Sequence, residues 1–183
     1  DDNDKIPLHL EKNIFAYGNE NVDIPIHSFS TAGGKEWLDS YAVIVGINNI
    51  LKKDNYDSDN FVVLIPDLQY NIKQGNWNII KRNLPDQCRF IFIPINAISN
   101  HWTLLMIDTI RKVGYHFDSL FINYKDNHNK DKKYKNNNTM AKEICNKILE
   151  RDIEYADIFV KDQDNSYDCG AFILYHLEIL IKG

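Results

Sequence analysis

The chain has 183 residues, a formal charge of −5, and a composition that is 44% hydrophobic and 12% aromatic. That is enough apolar material for one sizeable core and too little chain for two comfortable domains. The acidic balance offers no concentrated basic face for nucleic acid, no run approaches the ~18–20 apolar residues that cross a bilayer, and the start, DDNDKIPLHL, lacks the basic-then-apolar order of a signal peptide.

Residues 1–35 are mixed and turn-rich and read as an irregular approach to a single domain at 36–183. From Lys35 to about Lys53, Trp37, Leu38, Tyr41, Ile44, Val45, Asn48 and Leu51 recur near a 3.6-residue period, which predicts a helix. FVVLIP at 61–66 reads as a buried strand stopped by proline, and DLQYNIKQGNWNIIKRNL as helix or helix plus loop, weakened by Gly75. RFIFIPI (89–95), HWTLLMIDT (101–109) and VGYHFDSL (113–120) are rich in aromatic and branched residues and read as three neighbouring strands. The short break at Ile110–Lys112 makes the second and third an antiparallel hairpin. NYKDNHNKDKKYKNNN at 123–138 has almost nothing to bury and reads as an exposed loop. TMAKEICNKILERD at 139–152 opens on a threonine cap and lines Met140, Ile144, Ile148 and Leu149 along one face of an amphipathic helix. DIFVKD at 157–162 reads as a short strand, and the apolar stretch from Cys169 to Ile181 as a helix buried all round.

Three widely spaced cysteines, Cys88, Cys145 and Cys169, suit neither a disulfide framework nor a zinc site, and the six histidines show no ligand spacing. Free thiols are expected, with no metal and no cofactor. Cys145 belongs to the packed face of its helix.

Cys169 stands apart because Asp168 is a good helix cap. A thiol in the first turn meets unpaired amides and the positive end of the macrodipole, both of which favour a thiolate. Gly170 would let a substrate backbone come close. The preceding polar segment from Gln163 to Ser166 can place an amide donor beside the sulfur. A thiolate nucleophile also needs a proton acceptor, and the acceptor needs an orienting partner. His101 begins one strand of the hairpin and Asp118 ends the other, so antiparallel pairing can bring them together. His176 shares the helical face of Cys169 but lies about 10 Å along it, which suits a core residue. His116 shares a strand face with Asp118 and competes weakly for the role of base.

The order His101-Trp102, then Asp118, then Gln163-x5-Cys169-Gly170 resembles the ubiquitin-like-protein proteases of the Ulp/SENP group in clan CE, a group that includes bacterial effector deubiquitinases. The resemblance runs from Trp37 to Ile181, because WLDSY is similar to the Trp-Leu-x-Asp motif of the family's substrate pocket. It implies an α+β, papain-like cysteine protease fold: a central mixed sheet carrying His101 and Asp118, and a buried helix that starts at Cys169. It further implies that Cys169 attacks the carbonyl after a C-terminal glycine, His101 activates it, Asp118 holds the imidazole and Gln163 donates to the oxyanion. Trp102 would wall a narrow channel for Gly-Gly. Trp37, Asp39 and Ser40 would meet the modifier, although the family places aspartate three residues after the tryptophan, where this chain has Ser40 and carries the acid at Asp39.

The expected function is thus that of a monomeric cysteine isopeptidase acting on conjugates of ubiquitin, the first modifier expected, or of SUMO or NEDD8. Delivery as an effector into a host cytoplasm is the expected setting. Two other classes fit the same residues: an effector acetyltransferase using a similar His, acid and Cys order, and a binding module that keeps the fold without the chemistry.

Overall fold

The computed structural model describes residues 4–16, 20–31, 36–54, 56, 59–97, 101–120, 131–150, 154–158, 160, 165 and 167–183. In chain order the elements are β1 (Lys5–His9), β2 (Ile14–Phe15), β3 (Asn21–Pro25), α1 (His27–Thr31), α2 (Ser40–Asp54), β4 (Phe61–Leu64), α3 (Leu68–Lys73), α4 (Trp77–Lys81), β5 (Phe90–Ile95), β6 (Thr103–Asp108), β7 (Val113–Phe117), α5 (Asp131–Leu149), β8 (Glu154–Ile158) and α6 (Cys169–Lys182). The main sheet has six strands in the order β2-β4-β5-β6-β7-β8, while β1 and β3 form a separate antiparallel pair. The sheet is mixed. β2, β4 and β5 run parallel, β6 is antiparallel to both β5 and β7, and β8 returns parallel to β7.

Alternation along the central strands divides the core in two. Ile91, Ile93 and Ile95 of β5 and Leu105 and Ile107 of β6 pack with Leu68, Ile72, Trp77, Ile80, Ile144 and Ile148 from α3, α4 and α5. Phe92 of β5, Leu104 of β6 and Phe117 of β7 pack with Val43, Ile47, Ile173 and Leu177 from α2 and α6, and Cys169 lies in this second cluster. Side chains that alternate across the pleat and are apolar on both sides are what a strand covered by helices on both faces requires. α2 and α6 approach closely at Gly46, where an added Cβ would fall 2.5 Å from Cδ1 of Leu174.

The β6–β7 hairpin is fastened at its turn. Asp108 is buried; its Oδ1 accepts the N–H groups of Ile110 (3.0 Å) and Arg111 (2.9 Å), and its Oδ2 accepts from Nη2 (3.0 Å) and Nε (3.2 Å) of Arg89. Burial alone would push the carboxyl up, but the Arg89 guanidinium and the turn amides outweigh it and hold its pKa below the ordinary value. From Asp108↔Val113 the register runs to Leu104↔Phe117, so His101 and Asp118 emerge together at the open end.

Several elements differ from the sequence expectation. Residues 1–35 carry β1, β2, β3 and α1, and β2 adds an edge to the main sheet; two- and five-residue elements are too short for periodicity to reveal. The stretch after β4 resolves into α3 and α4, broken at Gly75, whose φ of +93° lies in the left-handed region. The expected loop at 123–138 is helical from Asp131 onward, while 121–130 lies outside the described residues. Asn137 and Asn138 are buried there, so a polar run is anchored by hydrogen bonds instead of apolar contact. β8 lies earlier than DIFVKD because its pairing with β7 sets its register. α6 is covered on one side only: Cys169, Gly170, Ile173 and Leu177 are buried, whereas Tyr175 and Ile179 are 60% and 48% exposed. No helix among the described residues is long and apolar enough to cross a membrane.

Candidate active site

His101 and Asp118 meet at the open end of the hairpin, and both are buried. His101 Nε2 donates to Asp118 Oδ1 at 2.6 Å, and the same oxygen accepts the N–H of Leu120 at 2.9 Å. That amide belongs to the turn leaving β7, so the chain itself aims the carboxylate. Asp118 Oδ2 is buried with no hydrogen-bond partner among the described residues. A carboxylate left partly unsatisfied in a dry site favours a positive charge on the ring it faces.

Cys169 completes the group. It is buried at the first position of α6, close enough to His101 for the sulfur to help raise the pKa of the ring. Nε2 is committed to Asp118, so Nδ1 is the ring nitrogen through which a proton would be exchanged with the sulfur. Burial alone would pull the His101 pKa down, but the hydrogen bond to Asp118, the charge of that carboxylate and the neighbouring Cys169 sulfur raise it from 6.5 to about 9. A ring with its pKa raised to about 9 is protonated at neutral pH, and a positive ring favours negative charge on an atom beside it. Asp168 precedes the helix as expected, but its carboxylate makes no cap. Oδ2 of Asp168 accepts from Asn165 Nδ2 at 2.6 Å, and Asn165 Oδ1 in turn accepts the N–H groups of Tyr167 (3.0 Å) and Asp168 (2.9 Å).

The WLDSY segment has structural uses that the sequence does not announce. Trp102 is 2% exposed and packs in the same cluster as Cys169; its indole N–H donates to the carbonyl of Leu38 at 2.7 Å. A Cβ added to Gly170 would lie 2.9 Å from both Cβ and Cδ1 of Leu38. The space beside Gly170 is thus bounded by Leu38. Asp39 caps α2: Oδ1 accepts the N–H of Ala42 at 2.7 Å and Oδ2 accepts the hydroxyl of Ser28 at 2.7 Å. Trp37 is half-buried against the second cluster, and Ser40 is half-buried at the first position of α2.

The other candidates separate cleanly. His116 is buried with Nε2 at 2.9 Å from Thr103 Oγ1 and Nδ1 at 3.2 Å from Asp157 Oδ1, so it holds β6, β7 and β8 together. His176 is half-buried between the rings of Phe117 and Phe172, and burial lowers its pKa. Burial pushes the thiols of Cys145 and Cys88 up to about 12 and about 11, which makes both poor nucleophiles at neutral pH. Gln163 lies outside the described residues. Sequence reasoning missed Leu38 as a contact of the catalytic elements, because a leucine before a helix carries no mark of what its carbonyl will accept. It also missed Asn96, whose Oδ1 accepts the N–H of His101 at 3.4 Å.

The chain is similar to several known proteins. Over 196 residues the chain is 24% identical to the putative ubiquitin-like-specific protease 1B of Arabidopsis thaliana, covering 94% of this chain and 55% of that protein. Over 179 residues it is 24% identical to ubiquitin-like-specific protease 1 of Saccharomyces cerevisiae, covering 94% of this chain and 28% of that protein. The chain thus spans about half of the first relative and far less of the second. Among solved structures, the C-terminal Ulp1 protease domain in complex with Smt3, the yeast ortholog of SUMO, superposes with a TM-score of 0.67 at 19% identity, covering 98% of this chain and 77% of that one. The Xanthomonas campestris effector protein XopD bound to ubiquitin gives 0.64 at 18% identity, covering 81% and 76%. The α+β, papain-like fold is therefore shared. Residues 49–183, which contain His101, Asp118 and Cys169, match the Ulp1 protease family, C-terminal catalytic domain, and the chain belongs to that family.

Proposed function

We propose that this domain is a cysteine peptidase that cleaves after the C-terminal glycine of a ubiquitin-like modifier, including the isopeptide bond to a lysine side chain. The observation that carries the reading is the buried Asp118–His101–Cys169 group, in which both neighbours raise the imidazole pKa to about 9. In this reading the Cys169 thiolate adds to the glycine carbonyl carbon. The tetrahedral intermediate collapses as the His101 imidazolium protonates the departing lysine amine, leaving a thioester. A water molecule, its proton taken by His101, then hydrolyses the thioester and restores the thiolate. Gln163 is proposed as the oxyanion donor. Removing one such donor costs about 3–4 kcal/mol, so Gln163→Ala should slow the chemistry roughly 100-fold or more.

Membership of the family and the named specificity of the two curated relatives support a ubiquitin-like substrate. One neighbour in fold is bound to Smt3 and another to ubiquitin, so both modifiers enter the test. Ubiquitin, SUMO and NEDD8 carrying a thiol-reactive C-terminus are incubated with the domain. A covalent adduct that survives Cys145→Ala and disappears in Cys169→Ala is the expected result, and the reactive probe identifies the modifier. Absence of adduct with all three, with acetyl transfer from acetyl-coenzyme A, would overturn the peptidase reading in favour of the acetyltransferase.

A further inference from the structure

The backbone of His101 is held by amide side chains from outside the catalytic group. Asn137 of α5 is buried; its Nδ2 donates to the carbonyl of His101 at 2.9 Å, and its Oδ1 accepts the N–H of Ala97 at 2.8 Å. One side chain therefore grips both ends of the connection between β5 and β6. The N–H of His101 is directed to Asn96 Oδ1 at 3.4 Å, and the N–H of Asn96 donates to Gln69 Oε1 of α3 at 3.0 Å. The grip is itself anchored. The adjacent Asn138 donates to Asp157 Oδ1 at 2.8 Å, and Asp157 pairs with His116, which pairs with Thr103, so this turn of α5 is tied to β6, β7 and β8.

We propose that Asn137 is a positioning residue for His101. Its amide fixes where the ring starts from, and so where Nδ1 sits relative to the Cys169 sulfur. An amide is required because the site needs a donor and an acceptor on one short side chain. Aspartate keeps the acceptor but sets a carboxylate oxygen against the His101 carbonyl, and alanine offers neither group. The ring has another tether in Asp118, but this fixes its tip, whereas Asn137 acts at its root. Displacements of about 1 Å in a catalytic group cost on the order of 100-fold in rate.

This inference rests on reading Cys169 and His101 as the reactive pair, and its test measures that pair without any modifier. Asn137→Asp and Asn137→Ala are made in the whole chain. Alkylation of Cys169 by iodoacetamide is followed residue by residue in mass spectrometry across pH 5–10, with Cys88 and Cys145 as internal references for folding and with Tm measured in parallel. The expected result is a roughly tenfold or greater loss of Cys169 alkylation at neutral pH and a profile moved to higher pH, while Cys88 and Cys145 react at wild-type rates. Asn137→Ala, which introduces no charge, is read in the same way should Asn137→Asp fail to fold. A Cys169 profile within twofold of wild type, whether or not Tm falls, would reduce Asn137 to a structural residue and overturn the inference alone. A wild-type Cys169 that reacts no faster than Cys88 would overturn the reactive pair as well.

Discussion

The carbonyl of Leu38 and the indole N–H of Trp102, 64 positions apart, are joined by a hydrogen bond of 2.7 Å. Trp102 follows His101 and Gly170 follows Cys169, so Leu38 touches the residue after the base through its backbone and the residue after the nucleophile through its side chain. A segment that resembles a substrate-pocket motif therefore also bridges the residues that follow His101 and Cys169.

Trp102→Phe keeps an aromatic ring in the cluster but removes the donor, leaving the Leu38 carbonyl without it. A buried acceptor so orphaned costs about 1–3 kcal/mol. The expected outcome is a lower urea midpoint together with slower probe labelling. Unchanged labelling in a destabilised protein would confine the bond to folding.

Gly170→Ala forces a methyl group into the position Leu38 holds. Cβ of Leu38 is fixed by its backbone, so the strain cannot be relieved by rotating a side-chain tip, and overpacking of this kind costs about 1–3 kcal/mol. Leu38→Gly removes every atom that clashes. The double variant is expected to be less destabilised than the sum of the two single variants, as measured by a double-mutant cycle in chemical denaturation.

The meeting of His101 with Asp118 and the place of Cys169 at the start of α6 were legible because they are written in residue types. A cysteine ahead of a helix, a histidine opening one strand and an aspartate closing the next need only the antiparallel pairing of β6 and β7 to meet, and the short turn between those strands announces that pairing. Asn137 was not legible. In a run of asparagines and lysines, composition reports that nothing apolar can be buried, but it does not report that an amide can be buried by satisfying both of its ends. Asp168 failed in the opposite sense: its type suits a cap, yet Asn165 claims its carboxylate through a local turn. The exposed side of α6 was misread for a related reason, since apolar composition measures what could be covered and not how much of the domain is there to cover it.

Asp39→Ala removes the cap of α2 and the bond from Ser28. Loss of an N-cap costs about 1 kcal/mol. A fall in Tm with little change in KM for a modifier substrate is expected, whereas a rise in KM at constant Tm would restore Asp39 to the modifier contact.

The titration of His101 carries a definite sign. Its pKa rises from 6.5 to about 9 on folding, so its contribution to stability is fully present below pH 6.5 and is lost as pH climbs through about 9. The midpoint belongs to the coupled pair of ring and thiol. Cys169→Ala removes the sulfur that helps raise the pKa of the ring, so NMR titration of the imidazole should show a midpoint clearly below that of the wild type. Equal midpoints would mean that the sulfur carries no charge beside the ring.

Asp108 behaves in the reverse direction. Its depressed pKa stabilises the fold above the unfolded value of 3.8, and that contribution fades as pH falls through the lower, folded one. Asp108→Asn should cost about 1.5–3 kcal/mol at pH 7, the range for hydrogen bonds to charged groups, and should flatten the acid limb of stability against pH. An acid limb as steep as that of the wild type would place the acid sensitivity elsewhere.

Asp118 and His101, the proposed acid and base, belong to one hairpin, whereas Cys169, the proposed nucleophile, arrives with α6 after α5 and β8 have intervened. A polypeptide divided between residues 120 and 131 consequently carries the proton-handling half of the chemistry on one fragment and the sulfur on the other. Neither piece holds a complete triad, so recovery of Cys169 reactivity on mixing would report reassociation of the two fragments, with the chemistry itself serving as the sensor of assembly.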